Sequence, residues 1–179
     1  VDETMRAWHA GRGEWAGITD VNSASIGIEI VNGGHDFDLP EFPDVQIDAV
    51  IALCSDILSR HTIKPANIIG HSDLAPGRKA DPGEKFPWAK LASAGIGLWP
   101  QAQMPDRRSL FKLGDRDRGI AAAQRGLAII GYGISVSGIF DDKTAECIEA
   151  FQRRFRPDRI DGHIDVETVS LISALSGKL

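Results

Sequence analysis

The stretch Gly70-His71-Ser72-Asp73-Leu74-Ala75-Pro76-Gly77-Arg78-Lys79-Ala80-Asp81-Pro82-Gly83 decides how the rest of the chain is read. It sets an imidazole, an ammonium and a carboxylate within eleven residues, on a segment too rich in Gly and Pro for regular structure. An imidazole and a carboxylate brought together on a loop commonly hold a metal ion. A lysine next but one to that carboxylate suits a place where negative charge develops. With Glu29 from upstream, these residues read as a hydrolytic zinc site. His71 and Asp81 are then ligands, Glu29 shuttles the proton of the attacking water, and Lys79 faces the oxyanion of a tetrahedral intermediate. The residue types alone leave an equal alternative: a loop histidine, a surface Lys–Asp pair and a strand carboxylate facing solvent.

The flanking sequence supplies a scaffold. From 24 to 31 the chain alternates, with Ile26, Ile28 and Ile30 on one side and Ser25, Gly27, Glu29 and Val31 on the other, which predicts a strand with a buried isoleucine face. Asn32-Gly33-Gly34 ends it. Between Pro43 and His61, Ile47, Val50, Ile51, Cys54, Ile57 and Leu58 recur at helical spacing and predict an amphipathic helix. A short strand is expected at 66–69 with His71 just past its end, then a loop over 72–87 and a short helix over 88–94. Strand, helix and strand together make a mixed α/β layer.

Residues 99–109 read as a linker, dividing the chain into 1–98 and 110–179. Beyond it, Ile120, Gln124, Leu127 and Ile130 fall at helical spacing and stop at Gly131. Gly138-Ile-Phe-Asp141-Asp-Lys-Thr144 is then echoed 24 residues later by Gly162-His-Ile-Asp165-Val-Glu-Thr168. Each Asp is placed to cap a helix with Thr three positions on. The whole fits a compact all-α bundle of three helices, close to the lower size limit for independent folding.

Composition narrows the class. The chain has 179 residues, 42% hydrophobic and 25% charged, as in soluble globular proteins. Its formal charge of −5 supplies no field for nucleic acid, and no apolar run is long enough to span a bilayer. Cys54 and Cys147 form no metal or redox motif and are expected as buried free thiols. The first residues are not a signal peptide, and Val1 replaces an initiator Met, so a mature or truncated piece of something longer is expected.

The wording of the motifs adds a resemblance. Ala7-Trp8-His9-Ala10-Gly11, Asn22-x-x-Ser25-Ile-Gly-Ile-Glu29, Gly70-His71-Ser-Asp and Gly77-Arg78-Lys79-x-Asp81-Pro82-Gly83 stand in that order over residues 1 to about 95. They resemble the zinc N-acetylmuramoyl-L-alanine amidases that share the peptidoglycan-recognition-protein fold. The resemblance implies a mixed sheet with flanking helices, here without its N-terminal part. It further implies Zn2+ held by His71 and Asp81, Glu29 as general base and acid, and Lys79 as transition-state stabiliser. The bond it implies joins N-acetylmuramic acid to the L-alanine of the stem peptide. The family's remaining ligand, a histidine on an early strand, has no counterpart here, since the chain begins eight residues before His9. The third ligand is therefore expected upstream, on a missing N-terminal segment of the same protein or a separate associated chain. His9 matches a residue beside the substrate groove. Trp8 and Arg78 are assigned to that groove too, against the alternatives of a core tryptophan and a solvated arginine.

The last 70 residues resemble the helical peptidoglycan-binding domains of cell-wall hydrolases through Gln124, Leu127, Gly131-Tyr132, Gly138-x-Phe140-Asp141-x-x-Thr144, Ala150-Phe151-Gln152 and Asp161-Gly162. Together the two resemblances imply a wall-degrading enzyme of the cell envelope, periplasmic, outer-membrane-associated or secreted, acting on peptidoglycan or muropeptides. The competing readings are a non-catalytic peptidoglycan-recognition protein and another zinc peptidoglycan hydrolase, such as an endopeptidase.

Overall fold

The computed structural model describes residues 1–100 and 106–179, so 101–105 of the expected linker lie outside the described residues. The elements run α1 (Val21–Ala24), α2 (Asp44–Arg60), α3 (His71–Leu74), α4 (Trp88–Ser93), β1 (Ser109–Phe111), α5 (Arg118–Ile130), α6 (Asp142–Phe155), β2 (Ile164–Asp165) and α7 (Val166–Ser176). The fold is mixed, helices with a small sheet, and the amphipathic helix expected between 43 and 61 is α2. Asp44 in its first turn and Arg60 in its last complement the helix dipole. His61 follows as C-cap and meets Glu3 at 2.7 Å.

The C-terminal unit forms the three expected helices. Asp117, Asp141 and Asp165 accept from the backbone N–H of Gly119, Thr144 and Thr168 and so cap α5, α6 and α7. Gly131 ends α5 with φ at 135°, a conformation that a side chain would strain. The echo of sequence is an echo of contacts. Gln124 donates to the Ile139 carbonyl and Thr144 hydroxyl and accepts from the Ser137 and Gly138 amides. Gln152 donates to the His163 carbonyl and Thr168 hydroxyl and accepts from the Asp161 and Gly162 amides. Each glutamine is buried and stitches its helix to the loop and cap of the next. Antiparallel β1 and β2, paired Ser109 to Asp165 and Phe111 to Ile164, clasp the start of this unit to α7.

The two expected N-terminal strands do not form. Residues 25–31 pair with no described segment, and a strand without a ladder partner leaves its N–H and C=O groups to other acceptors and donors. Ile26 and Ile30 are half-buried, but Ile28 is 37% exposed, so the isoleucine face is covered only in part. In place of the strand at 66–69, Pro65–Asn67 make a 3-10 turn with Pro at its start, where the missing N–H costs nothing. The expected loop over 72–87 begins instead with the helical turn α3.

Two apolar cores result. One gathers Ile47 and Val50 of α2 with Phe86, Trp88, Leu91 and Ile96. The other is built on α5–α7 around Leu127, Ile148 and Phe151, yet it also takes in Ala10, Trp15, Val21 and Leu74. Trp99 packs against both. Cys147 is buried, Cys54 is half-buried, and both thiols are free. No helix of the described residues is long and apolar enough to cross a membrane.

Candidate active site

The turn α3 presents His71. Its neighbour Asp73 is fully buried and folds back to accept from the Gly70 amide at 2.9 Å, a local cap that starts the turn. The Ser72 amide donates to the Asp81 carbonyl at 2.9 Å, which ties the turn to the far end of the loop. His71 and Asp81, ten residues apart, are thereby brought side to side, with Nδ1 3.0 Å from Oδ2.

The other imidazole nitrogen fixes what that contact means. His71 Nε2 lies 2.9 Å from the Ala10 carbonyl, and a carbonyl only accepts, so Nε2 carries a hydrogen. In the neutral ring Nδ1 then offers a lone pair toward a carboxylate that also offers lone pairs. Only a proton or a cation between them makes this contact attractive. When that partner is a proton on Nδ1, the hydrogen bond from His71 holds the Asp81 carboxyl below its ordinary value, burial opposing and the charges of His71 and Lys79 assisting. Among the described residues, no third His, Cys, Asp or Glu joins the pair to complete a metal-binding group.

The Ala10 carbonyl is itself positioned. Asn22, on α1 and buried, accepts from the His9 and Ala10 amides at 3.0 and 2.9 Å through one side-chain oxygen. Arg78 closes the same loop from the other side, donating to the carbonyls of Ala10 and Arg12. It is thus bound to backbone rather than freely solvated. Lys79 is exposed and acts on Asp81 through its charge.

The remaining candidates make no hydrogen bond or ion pair with His71 or Asp81 among the described residues. His9 is half-buried, its Nε2 2.8 Å from the Ser25 hydroxyl, and Gly27 lies so close that a Cβ there would sit 2.5 Å from the imidazole ring. Trp8 is 83% exposed with the Arg6 guanidinium 4.5 Å from its ring centre, which rules out the core alternative for this tryptophan. Glu29 is exposed in a shallow groove that also includes Ile28, Ile30, Gln46, Val50 and Leu53. No hydrogen bond or ion pair among the described residues joins Glu29 to His71 or Asp81. His35 pairs with Glu84 and His163 lies near Asp161, both on the surface. Asn22 was legible only as a motif position; its role in holding the Ala10 carbonyl depends on a contact across twelve residues.

Comparison with known proteins gives the family. Residues 1–84 match the N-acetylmuramoyl-L-alanine amidase family, and residues 116–172 match a peptidoglycan binding domain family. N-acetylmuramoyl-L-alanine amidase AmiD of Escherichia coli (strain K12) is 39% identical over 99% of this chain, which spans 66% of that relative's length. The solved structure of E. coli AmiD in complex with the substrate anhydro-N-acetylmuramic acid-L-Ala-D-gamma-Glu-L-Lys superposes with a TM-score of 0.86 at 37% identity, covering 99% of this chain and 71% of that one. AmpDh3 from Pseudomonas aeruginosa, in complex with anhydromuramic pentapeptide, gives a TM-score of 0.81 at 38% identity, with 99% of this chain and 71% of that one covered. With most of its length shared at this identity and with the loop carrying His71 and Asp81 inside the matched region, the chain belongs to the N-acetylmuramoyl-L-alanine amidase family.

Proposed function

We propose that this protein hydrolyses the amide bond between N-acetylmuramic acid and the L-alanine of the peptidoglycan stem peptide. The observation that carries the reading is the His71–Asp81 pair, two lone-pair donors turned on one point with the tautomer set by the Ala10 carbonyl. The pair suits Zn2+: imidazole nitrogen and carboxylate oxygen are ordinary zinc donors, and a catalytic zinc takes about three protein ligands. His71 and Asp81 are two of them. When bound, the metal acidifies a water and polarises the scissile carbonyl.

Glu29 takes a proton from the attacking water and returns it to the leaving L-alanine amine. Lys79 offsets the charge of the oxyanion, a role worth roughly 3 kcal/mol where one such donor has been removed. Trp8, with its open ring face, and His9 border the groove on the sugar and peptide side, and Arg78 stiffens the loop whose carbonyl orients His71. Residues 1–98 form the amidase portion, 99–109 the linker and 110–179 the wall-binding unit, in an enzyme of the cell envelope. The substrate bound to E. coli AmiD and the anhydromuramic pentapeptide bound to AmpDh3 point to muropeptides as the ligand class.

The test is product analysis. Purified peptidoglycan treated with the protein is expected to release peptides with a free L-alanine amino terminus, in a reaction stopped by a chelator and restored by zinc. Glu29→Ala is expected to abolish this release while leaving the zinc content unchanged. Cleavage inside the stem peptide would identify an endopeptidase instead, and binding without any cleavage a recognition protein.

A further inference from the structure

The C-terminal helical unit touches the candidate site at a place that wall binding does not require. Asp73, two residues after His71, is held by two side chains of that unit. Tyr132 donates its hydroxyl to Oδ1 at 2.6 Å, and Arg154 of α6 donates to Oδ2 at 2.9 Å. All three are buried, the ion pair leaving 3% of the Arg154 side chain and 1% of the Asp73 side chain exposed. Arg154 donates its other terminal nitrogen to the Ile68 carbonyl at 2.8 Å and stacks on Trp88 at 4.3 Å, so it grips the chain on both sides of His71. Burial and the Asp73 carboxylate push the Tyr132 hydroxyl well above its ordinary pKa, which keeps it a donor.

The contact continues along α6. Glu146 lies against Gly77, its carboxyl carbon 2.2 Å from where a Cβ would sit, and φ of 77° there strains any side chain. Arg153 approaches Glu84 at 3.9 Å. Arg153 and Arg154 lie two turns beyond Glu146 on α6, and the three meet the loop at Glu84, Asp73 and Gly77. A buried aspartate that accepts three hydrogen bonds has one low-energy orientation, and its backbone is the turn that presents His71.

We infer that Tyr132 and Arg154 are positioning residues of the amidase site: through Asp73 they lock the turn α3 and thereby set the direction of His71 toward Asp81. The helical unit is then part of the catalytic scaffold as well as a wall-binding module. The inference rests on the proposed metal site for its functional meaning, but the lock itself is measurable without metal.

The experiment compares the full chain with Tyr132→Phe, which removes one hydroxyl, with Arg154→Met, which removes the charge at similar length, and with Arg154→Lys. Amide hydrogen exchange is measured metal-free, residue by residue. Exchange across 70–84 is expected to rise by about tenfold or more in Tyr132→Phe and Arg154→Met while α5 and α7 stay protected, with Arg154→Lys restoring part of the protection. Zinc affinity, read by competition with a chelator, is expected to fall by about tenfold or more in the same two variants, as it does when a partner behind a ligand is lost. Unchanged exchange across 70–84, or an equal rise throughout the chain, overturns the lock. Looser exchange with unaltered zinc affinity overturns its link to His71. If the wild-type chain takes up no zinc, the metal reading fails, and the exchange data alone decide whether Tyr132 and Arg154 hold the turn.

Discussion

The two halves of this molecule solve opposite problems. Residues 110–179 are mostly regular structure: three capped helices, the glutamine stitch repeated, a core closed around Phe151 and Leu127. Residues 1–100 contain one long helix, and their chemistry-bearing groups sit on short turns and irregular chain held by a few hydrogen bonds through Ala10, Asn22 and Arg78. The difference teaches where rigidity comes from. A loop can aim an imidazole only if something regular stands behind it. Here that support comes from the other half, through a shared core and the buried Asp73–Arg154 pair.

The sharpest way to break this comparison is to separate the halves. Removing residues 100–179 uncovers Ala10, Trp15, Val21 and Leu74 and leaves Asp73 as a buried carboxylate without its cation. The remaining piece is expected to lose its cooperative thermal transition and its activity on a soluble muropeptide as well as on insoluble wall. A piece that melts cooperatively and retains activity on the soluble substrate would show instead that the helical unit is a detachable module.

A smaller effect sharpens the internal repeat. Gln124→Ala and Gln152→Ala each remove the acceptor of two backbone amides and a donor to a threonine hydroxyl, and each is expected to lower unfolding free energy by about 1–3 kcal/mol in a denaturant titration. Similar losses at the two sites support equivalence of the copies. A neutral substitution at either one contradicts it.

The smallest effect is at the helix caps. Asp141→Ala is expected to cost about 1 kcal/mol at neutral pH. The Thr144 hydroxyl and then its amide hold the Asp141 carboxyl below its ordinary value of 3.8. A carboxyl with a depressed folded value contributes its stability above the unfolded value and loses it as the pH falls through the folded one. The difference between wild type and Asp141→Ala is therefore expected to vanish in acid, below that lowered value; a difference independent of pH would remove the ionised cap.

The legibility of the sequence follows the same division. Helical spacing at Ile120, Gln124, Leu127 and Ile130 and the Asp–Thr caps are local signals, and α5–α7 obey them. His71 and Asp81 could be paired because they stand ten positions apart on one Gly- and Pro-rich segment, a short-range signal. Alternation at Ile26, Ile28 and Ile30 was equally local, but a strand is a relation between two segments and these residues pair with none of those described. Tyr132 and Arg154 reach Asp73 across 59 and 81 residues, and no spacing rule joins positions so far apart.

The central claim is that His71 and Asp81 together grip a divalent cation. It is tested most directly by zinc titration of the full chain and of Asp81→Ala, with bound metal measured by chelator competition at neutral pH. The account predicts weak but measurable uptake by the wild type, which holds two of about three ligands, and none by the variant. Equal zinc affinity in the two proteins, or an empty wild type at saturating zinc, would contradict it.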